Sequence, residues 1–392
     1  MAMTSFTPPE RMLMGPGPSD IHERVRRAMA KPTIGHLDPE FIRLMDEIKG
    51  GLQQLFLTEN ELTMPVSGPG SAAQEATIVN MLEPGDKIVI CINGVFGTRL
   101  RDMAQRAGAE VVTVEQTWGR AIDVDAVGAT LRQHGDTKVL AFVHAETSTG
   151  ALSDARALAA LAHEHGALAL ADTVTSLGGV PVRVDDWGLD AVYSGTQKCL
   201  SCPPGLAPVT FGPRALGVLE KRKTPVQSWF LDVTALMSYW GSGNQRAYHH
   251  TAPVNALYGL HEALVMLHEE GLENVWQRHA DVSAAFVAGM QALGMEPAVP
   301  ESERVPELIT VHIPDNVDEA AVRGALLDDH GIEIGAGLGP LAGKVWRIGL
   351  MGQSAEKGHM TRLLDALETE LGKQGHKVEP GAARAAAERS LA

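Results

Sequence analysis

Cysteine is scarce in this chain, and its charge is one-sided. The sequence has three cysteines among 392 residues, Cys91, Cys199 and Cys202. Such a sparse, odd set favours reduced thiols over a disulfide framework. Acidic residues outnumber basic ones by 48 to 33, which gives a formal net charge of −15, and a surface of that sign repels phosphodiester backbones unless one face is locally basic. We therefore expect no disulfide-stapled miniprotein and no nucleic-acid partner.

Long apolar runs are missing as well. No stretch reaches the roughly 18 apolar residues that a membrane-spanning helix needs. The first residues, MAMTSFTPPERMLMGPGP, lack the extended apolar core of a secretory signal. We expect no membrane partner and a cytoplasmic protein. Apolar residues make up 44% of the chain and charged residues 21%, as in folded globular proteins, and the length predicts two to three domains.

A regular alternation of segment types fills the middle of the chain. Between about Asp86 and Gly212, short β-branched runs alternate with helical patterns, which is typical of βαβ units. Runs such as VLAFV (139–143) are apolar on both faces, as strands of a sheet covered on both sides must be. The sequence therefore predicts an α/β fold with a mostly parallel sheet in this region.

The last third of the chain has a different pattern. A helical stretch runs from Thr251 to about Leu293 with a break near Gly271, and shorter strand and helix patterns follow it. We divide the chain into an N-terminal arm (1–20), a large domain (21–270), a smaller C-terminal α+β domain (271–372) and a tail (373–392). The tail is rich in alanine and charge without apolar periodicity, so we expect it to be loose.

A glycine-rich turn marks the first candidate site. Residues 67–71, SGPGS, follow the apolar stretch LTMPV and precede a helical pattern, so backbone N–H groups would face an anion such as phosphate. A plain turn before a helix is an alternative. Another alternative is that the turn is a dinucleotide-binding fingerprint, which would make the protein an NAD-dependent oxidoreductase. That fingerprint calls for a carboxylate about 20 residues later at the end of the next strand. The nearest candidate in this sequence, Asp86, lies at the start of a strand instead.

Two ionisable residues follow strands of the predicted sheet. Asp172 closes the apolar run GALALAD, where a buried carboxylate needs a cationic or hydrogen-bonding partner. Lys198 follows AVYSGTQ among small and polar residues, and a lysine confined there has a lowered pKa and becomes an amine nucleophile. A helix cap or ion pair for Asp172, and a solvated surface position for Lys198, are the alternatives.

Later in the chain, a charged residue interrupts an apolar strand pattern. Arg347 lies within VWRIGL, where a guanidinium needs an anionic partner, either a protein carboxylate or a substrate carboxylate. Cys199-x-x-Cys202 has half of a zinc spacing, but no second pair exists and Pro203-Pro204 follows it. We therefore expect no metal site and no thioredoxin-like motif.

Taken together, these features match a site for pyridoxal 5′-phosphate, held by its phosphate, its pyridine nitrogen and its aldehyde. The sequence resembles the class V aminotransferases of fold type I, most closely the group of alanine–glyoxylate and serine–glyoxylate aminotransferases. The resemblance lies in nine stretches in chain order: GPGPS (15–19), GHLDPEF (35–41), SGPGSAAQEA (67–76), NGVFGTR (93–99), HAETSTG (144–150), ADTVTSLGG (171–179), YSGTQK (193–198), YHHTAP (248–253) and GKVWRIGLMG (343–352).

The resemblance implies a fold and a set of catalytic roles. The implied fold is a large domain with a mostly parallel, seven-stranded sheet sandwiched by helices, plus a smaller C-terminal α+β domain. Lys198 would form the Schiff base with the cofactor and then carry the proton between substrate Cα and cofactor. Asp172 would keep the pyridine nitrogen protonated. Arg347, helped by Thr147, would bind the substrate α-carboxylate.

The resemblance also implies how the cofactor is surrounded. Phe96 and Val174 would pack on the two ring faces, while Tyr248 and Thr251 would reach the phosphate of the neighbouring subunit, making a homodimer. The cofactor-binding residues implied are Pro69, Gly70, Ser71, Phe96, Thr147, Asp172, Val174, Gln197, Lys198, Tyr248 and Thr251.

The resemblance implies transfer of the amino group of alanine, or of serine, to glyoxylate, giving glycine and pyruvate or hydroxypyruvate. Animal members of the group often carry Trp, His and Ser where this chain has Phe96, Ser71 and Thr147. These departures concern cofactor affinity or ring tilt more than the type of reaction. (S)-ureidoglycine–glyoxylate aminotransfer is the alternative within the family.

Overall fold

The computed structural model describes residues 3–241 and 246–392. The strands are β1 (Met12–Leu13), β2 (Leu62–Ser67), β3 (Lys87–Ile92), β4 (Glu110–Glu115), β5 (Val139–Val143), β6 (Ala145–Glu146), β7 (Ala151–Leu152), β8 (Leu168–Asp172), β9 (Ala191–Tyr193), β10 (Leu206–Phe211), β11 (Leu308–His312), β12 (Ile332–Glu333), β13 (Gly335–Ala336) and β14 (Val345–Gly349). The helices are α1 (Glu23–Met29), α2 (Pro39–Phe56), α3 (Gly70–Met81), α4 (Val95–Arg106), α5 (Val124–Gln133), α6 (Ala155–Glu164), α7 (Val184–Trp187), α8 (Pro213–Glu220), α9 (Val233–Trp240), α10 (Val254–Glu270), α11 (Leu272–Ala292), α12 (Glu319–Asp329), α13 (Lys357–Lys373) and α14 (Ala382–Ser390).

A seven-stranded sheet of order β2-β10-β9-β8-β5-β3-β4 forms the centre of the fold. Only β10 runs against its neighbours, and the other pairs are parallel. Strands β5 and β8 are buried along their whole length because helices cover both faces of a parallel sheet. The predicted fold class is confirmed.

The order of the strands creates a crevice at one edge of the sheet. From β3 the chain continues outward to β4, whereas from β5 it continues through β8 and β9 on the other side. Ligands of open α/β sheets bind at such a switch point, beyond the carboxyl ends of the strands. The turns after β3 and β5 therefore meet where a ligand is expected.

The apolar side chains gather mainly in two clusters. The larger surrounds the seven-stranded sheet and draws on residues between Val25 and Val275. The smaller joins Met12 and Met14 to the sheet β11-β14-β13 and its helices, and β1 pairs with β12. The N-terminal segment thus packs with the C-terminal part of the chain. The exact domain boundaries given above stay a prediction.

The C-terminal part of the chain contains the predicted helix break near Gly271 and a tail that differs from the prediction. The helical break near Gly271 is present between α10 and α11, where Gly271 has a φ of 83°. The tail, however, is not loose throughout: α14 packs on α11 with Ala383 and Ala387 fully buried. The small alanine side chains let the two helices approach closely at Gly289, where a Cβ would lie 3.1 Å from the Ala383 carbonyl oxygen.

The helices of the described ranges are short or polar relative to a bilayer-spanning helix. None of those within residues 3–241 and 246–392 is long and apolar enough to cross a membrane.

Candidate active site

The turn between β2 and α3 forms an anion-binding end of the crevice. Helix α3 begins at Gly70, and no side chain caps its first turn, so its N–H groups are available to a ligand. Gly68 has a φ of 157°, and a Cβ there would lie 2.7 Å from the Cβ of Ala72. A glycine is therefore required for this turn, as the phosphate-site interpretation expects.

Gln197 and Val174 approach the same turn. The Gln197 side-chain oxygen is buried without a hydrogen-bond partner among the described residues. An amide left without a protein partner is expected where a bound ligand supplies one, and its oxygen and nitrogen exchange places by rotation of the terminal group. A Cβ on Gly70 would lie 3.3 Å from Val174 Cγ2, so Val174 lies beside the start of α3.

Asp172 ends β8 with its carboxylate fixed in the crevice. Its Oδ2 accepts a hydrogen bond of 2.6 Å from the Tyr193 hydroxyl, and its Oδ1 accepts one of 2.8 Å from the backbone N–H of Val174. The side chain is buried, and burial raises the pKa of Asp172 to about 6 in spite of these donors. Asp172 thus presents a rigid carboxylate that is charged at neutral pH.

Lys198 is buried opposite the N-terminal segment of the chain. Its Nζ donates a hydrogen bond to the carbonyl oxygen of Pro16. Burial, followed by the nearby positive charge of Arg347, lowers the pKa of Lys198 to about 8. Gly17 has a φ of 100°, and a Cβ there would lie 2.6 Å from Lys198 Cδ. The site therefore requires a glycine over an amine that loses its proton more readily than an exposed lysine.

Arg347 lies in the middle of β14 and holds two carbonyl groups. Its Nε donates to the carbonyl oxygen of Ala336 at 2.7 Å, and its Nη1 donates to that of Thr147 at 3.1 Å. In the described part of the chain Arg347 forms no ion pair with a carboxylate. Burial lowers the pKa of Arg347 to about 10, and the nearby Glu146 carboxylate partly opposes this shift. A guanidinium has five N–H donors, so donors remain for a substrate carboxylate.

Glu146 is a member of the site that the sequence analysis did not single out. Its carboxylate is fully buried and accepts hydrogen bonds from the backbone N–H groups of Phe96 (3.2 Å) and Gly97 (3.4 Å) and from Ser148 N and Oγ (3.0 and 2.5 Å). Burial nevertheless raises its pKa. A Cβ on Gly94 would lie 2.4 Å from Glu146 Cδ. Glu146 therefore holds the start of α4, and with it Phe96, in place.

The remaining predicted residues are placed as follows. Phe96 is half-buried on the first turn of α4. Thr147 is buried, and its hydroxyl bonds to that of Thr175. Tyr248 and Thr251 are exposed, and within the described residues their hydroxyls bond only to each other, at 3.4 Å. The structure thus leaves these two on the surface of the chain, and Pro69, at the turn before α3, is exposed as well. The other predicted residues are buried or half-buried.

The three anchor points of the crevice fit pyridoxal 5′-phosphate. Uncapped N–H groups and the unpartnered Gln197 amide suit the phosphate, Asp172 suits the protonated pyridine nitrogen, and Lys198 suits the aldehyde. Together with the mostly parallel seven-stranded sheet, this arrangement defines a fold type I enzyme that uses pyridoxal phosphate.

Comparisons with known proteins agree with that class. The family model for aminotransferase class-V matches residues 20–349, so the chain belongs to the class V aminotransferases. An alanine–glyoxylate aminotransferase of Callithrix jacchus is 40% identical over 365 residues, which are 93% of this chain and 88% of the relative. An (S)-ureidoglycine–glyoxylate transaminase of Bacillus subtilis (strain 168) is 37% identical over 397 residues, covering 97% of this chain and 95% of the relative.

A solved structure is similar over nearly the whole chain. The crystal structure of an alanine–glyoxylate aminotransferase from Nostoc sp. has a TM-score of 0.93 and 48% identity, covering 95% of this chain and 98% of that one. The predicted resemblance is confirmed: this protein is an aminotransferase with amino acid and 2-oxo acid substrates, and pyridoxal phosphate is its cofactor. The turn at residues 67–71 therefore belongs to an aminotransferase and not to a dinucleotide-binding oxidoreductase.

Proposed function

We propose that this protein transfers the amino group of alanine, or of serine, to glyoxylate, giving glycine and pyruvate or hydroxypyruvate. The observation that carries the proposal is the buried guanidinium of Arg347, which has no carboxylate partner in the described part of the chain and lies close enough to Lys198 to lower its pKa. A small amino acid placed with its carboxylate on Arg347 brings its Cα toward the amine. The names of the relatives at about 40% identity support alanine as the donor and glyoxylate as the acceptor.

Two residues move or hold the protons of the reaction. When bound, pyridoxal phosphate supplies a carbon that takes up the amino group and a ring that accepts an electron pair. With a pKa of about 8, Lys198 Nζ exists partly as the neutral amine at neutral pH and removes the proton from the substrate Cα. The Asp172 carboxylate, fixed by Tyr193 and Val174, keeps a proton on the pyridine nitrogen.

Arg347 and Thr147 position the substrate. Because Nε and Nη1 of Arg347 are held by two carbonyl groups, the guanidinium plane is fixed before the substrate arrives. Its other N–H groups bind the α-carboxylate. The Thr147 carbonyl, one of these two anchors, ties the turn between β6 and β7 to β14. A preorganised carboxylate site of this kind lowers the entropic cost of aligning Cα with Lys198.

The rest of the proposed cofactor site divides between ring and phosphate. Phe96 and Val174 would pack on the two faces of the ring, while Pro69, Gly70, Ser71 and Gln197 would surround the phosphate. The uncapped start of α3 and the unpartnered Gln197 amide support the phosphate assignment. The contact of Val174 with Gly70 supports placing the ring next to it.

We also propose that the active unit is a homodimer in which Tyr248 and Thr251 reach the phosphate of the neighbouring subunit. Both residues are exposed in the single chain. They adjoin an aromatic surface on which Trp229 is 70% exposed and stacks on His249 at 4.6 Å, with Phe230 beside it. Exposed aromatic side chains of this kind are enriched in protein interfaces.

The three free cysteines support a reducing, cytoplasmic location.

A donor panel tests the proposed substrates. Purified protein loaded with pyridoxal phosphate is given glyoxylate and one donor at a time, namely alanine, serine or (S)-ureidoglycine, and glycine formation is followed. We expect alanine to give the highest kcat/KM and serine the next. A higher kcat/KM with ureidoglycine would overturn the assignment of the donor, and no glycine from any donor would overturn glyoxylate as the acceptor.

A further inference from the structure

Arg99 is a cation at the phosphate end of the site that the proposed function does not use. It lies on the second turn of α4 and is half-buried. Its Nη1 donates a hydrogen bond of 3.1 Å to Ser71 Oγ, and its guanidinium carbon lies 4.8 Å from the centre of the Phe96 ring. Within the described residues it forms no ion pair with a carboxylate. Arg101 on the same helix does form one, with its Nη1 3.7 Å from a Glu115 oxygen.

The contact with Ser71 decides where the hydroxyl proton of that serine points. A serine hydroxyl has one proton to donate and two lone pairs that accept. Arg99 occupies a lone pair, and within the described residues no protein group accepts the Ser71 proton. That proton is therefore free for an oxygen of a ligand at the start of α3.

The contact with Phe96 acts on the ring side of the same ligand. An arginine over an aromatic face is attracted by the π electrons and restricts how the ring tilts. The backbone of Phe96 is already held by Glu146. Arg99 thus fixes the side chain of a residue whose main chain is fixed separately.

Electrostatics give Arg99 a third role. The chain carries a formal charge of −15, and the proposed ligand carries a phosphate monoester, so attraction must come from groups close to the phosphate. The start of α3 contributes a partial positive charge. Arg99 adds a full positive charge close by, because it is hydrogen-bonded to Ser71, the second residue of α3.

We infer that Arg99 is a further cofactor-binding residue, which supplies the positive charge for the phosphate, turns the Ser71 hydroxyl toward it and steadies Phe96 against the ring. The inference rests on the proposed placement of the cofactor phosphate at Ser71. Because the phosphate is the part of the ligand that Arg99 recognises, pyridoxal, which has the same ring and aldehyde without the phosphate, separates this role from a structural one.

The test measures the dissociation constants of the apoprotein for pyridoxal phosphate and for pyridoxal. Wild type is compared with Arg99→Gln, with Arg99→Met, which keeps the aliphatic stem over Phe96, and with the matched control Arg101→Gln. Binding is followed by absorbance and tryptophan fluorescence, and thermal melting of each apoprotein checks folding.

We expect both neutral variants at Arg99 to lose about tenfold to a hundredfold in affinity for pyridoxal phosphate, the range of a hydrogen bond to a charged group, and to lose far less for pyridoxal. Arg99→Lys restores part of the loss because the charge remains without the planar fork. Arg101→Gln leaves both constants unchanged.

Three results separate the possible failures. An equal loss for both ligands in the Arg99 variants would make Arg99 a structural residue, and no loss at all would remove it from the site. Either result overturns the inference while the proposed function stands. A wild-type protein that binds neither ligand would instead overturn the proposed function itself.

Discussion

The two ends of the crevice bind their parts of the ligand by different means. At the phosphate end the groups are the N–H groups at the start of α3, the Ser71 hydroxyl and the Arg99 guanidinium, and Ser71 and Arg99 are only half-buried. At the other end Asp172, Lys198 and Arg347 are buried, and burial is the largest influence on the pKa of each, favouring the neutral form. The difference shows that three ionisable side chains are desolvated where the reaction takes place, whereas backbone N–H groups, a hydroxyl and one less buried cation bind the fixed anion.

This difference has a consequence for stability. The pKa of Asp172 is raised from 3.8 in the unfolded chain to about 6 in the folded one. The favourable contribution of this group to the free energy of unfolding is therefore complete below pH 3.8 and is lost as pH rises through 6. The pKa of Lys198 is lowered from 10.5 in the unfolded chain to about 8 in the folded one. Its contribution to the free energy of unfolding is therefore complete above pH 10.5 and is lost as pH falls through 8. Near pH 7 the charged forms of both side chains predominate, and the burial of these charges lowers the stability of the apoprotein.

The largest expected effect of a single substitution is that of Lys198→Ala. Loss of the buried amine removes both the attachment of the cofactor and the base for the Cα proton, so we expect transamination to fall by more than about a thousandfold. Steady-state turnover of alanine and glyoxylate measures it. Arg99→Gln at the phosphate end, assayed with saturating cofactor, should retain far more activity. Equal losses in the two variants would remove the contrast between the two ends.

Arg347→Ala is expected to have the next largest effect. Removing one partner of a buried, hydrogen-bonded charge pair costs about 2–5 kcal/mol. We therefore expect the half-saturating alanine concentration to rise about a hundredfold or more, with the affinity for pyridoxal phosphate unchanged. Arg347→Lys should recover little of the loss because an ammonium group lacks the planar fork. Unchanged saturation by alanine would exclude Arg347 as the carboxylate anchor.

The third expected effect is on stability and not on catalysis. Asp172→Asn removes the titration of this carboxyl, so we expect the stability of the wild-type apoprotein, relative to the variant, to decrease between pH 4 and 6. The size is on the order of 3 kcal/mol, as a shift of about two pKa units implies. Urea unfolding of both apoproteins across this range measures the difference. Parallel stability curves would show that Asp172 is not desolvated as described.

Strand periodicity was enough to predict a mostly parallel sheet, and charges next to or within apolar runs gave three candidate site residues. The number of strands and most other site residues were implied only by the family resemblance. Asp172, Lys198 and Arg347 stand out because a charge follows or interrupts an apolar run. Glu146 does not, since its role depends on α4 beginning against it, and the two segments are 50 residues apart. The Pro16 carbonyl over Lys198 is also invisible in the sequence, because the two are 182 positions apart.

The tail shows a different limit of sequence analysis. Apolar periodicity finds helices that bury large side chains, whereas α14 buries only Ala383 and Ala387, spaced by four residues. An alanine stripe looks the same as a low-complexity segment until a partner helix with a glycine at the contact, here Gly289 on α11, is known.

The central claim is that the desolvated Lys198 is the amine that holds the cofactor. Reduction of the protein loaded with pyridoxal phosphate by sodium borohydride, followed by proteolysis and peptide mass spectrometry, locates the lysine that carries the cofactor. We expect one reduced cofactor per chain, on Lys198, and no label on that peptide in Lys198→Ala. A label on another lysine of the wild-type protein, or a wild-type protein without any label, would contradict the account.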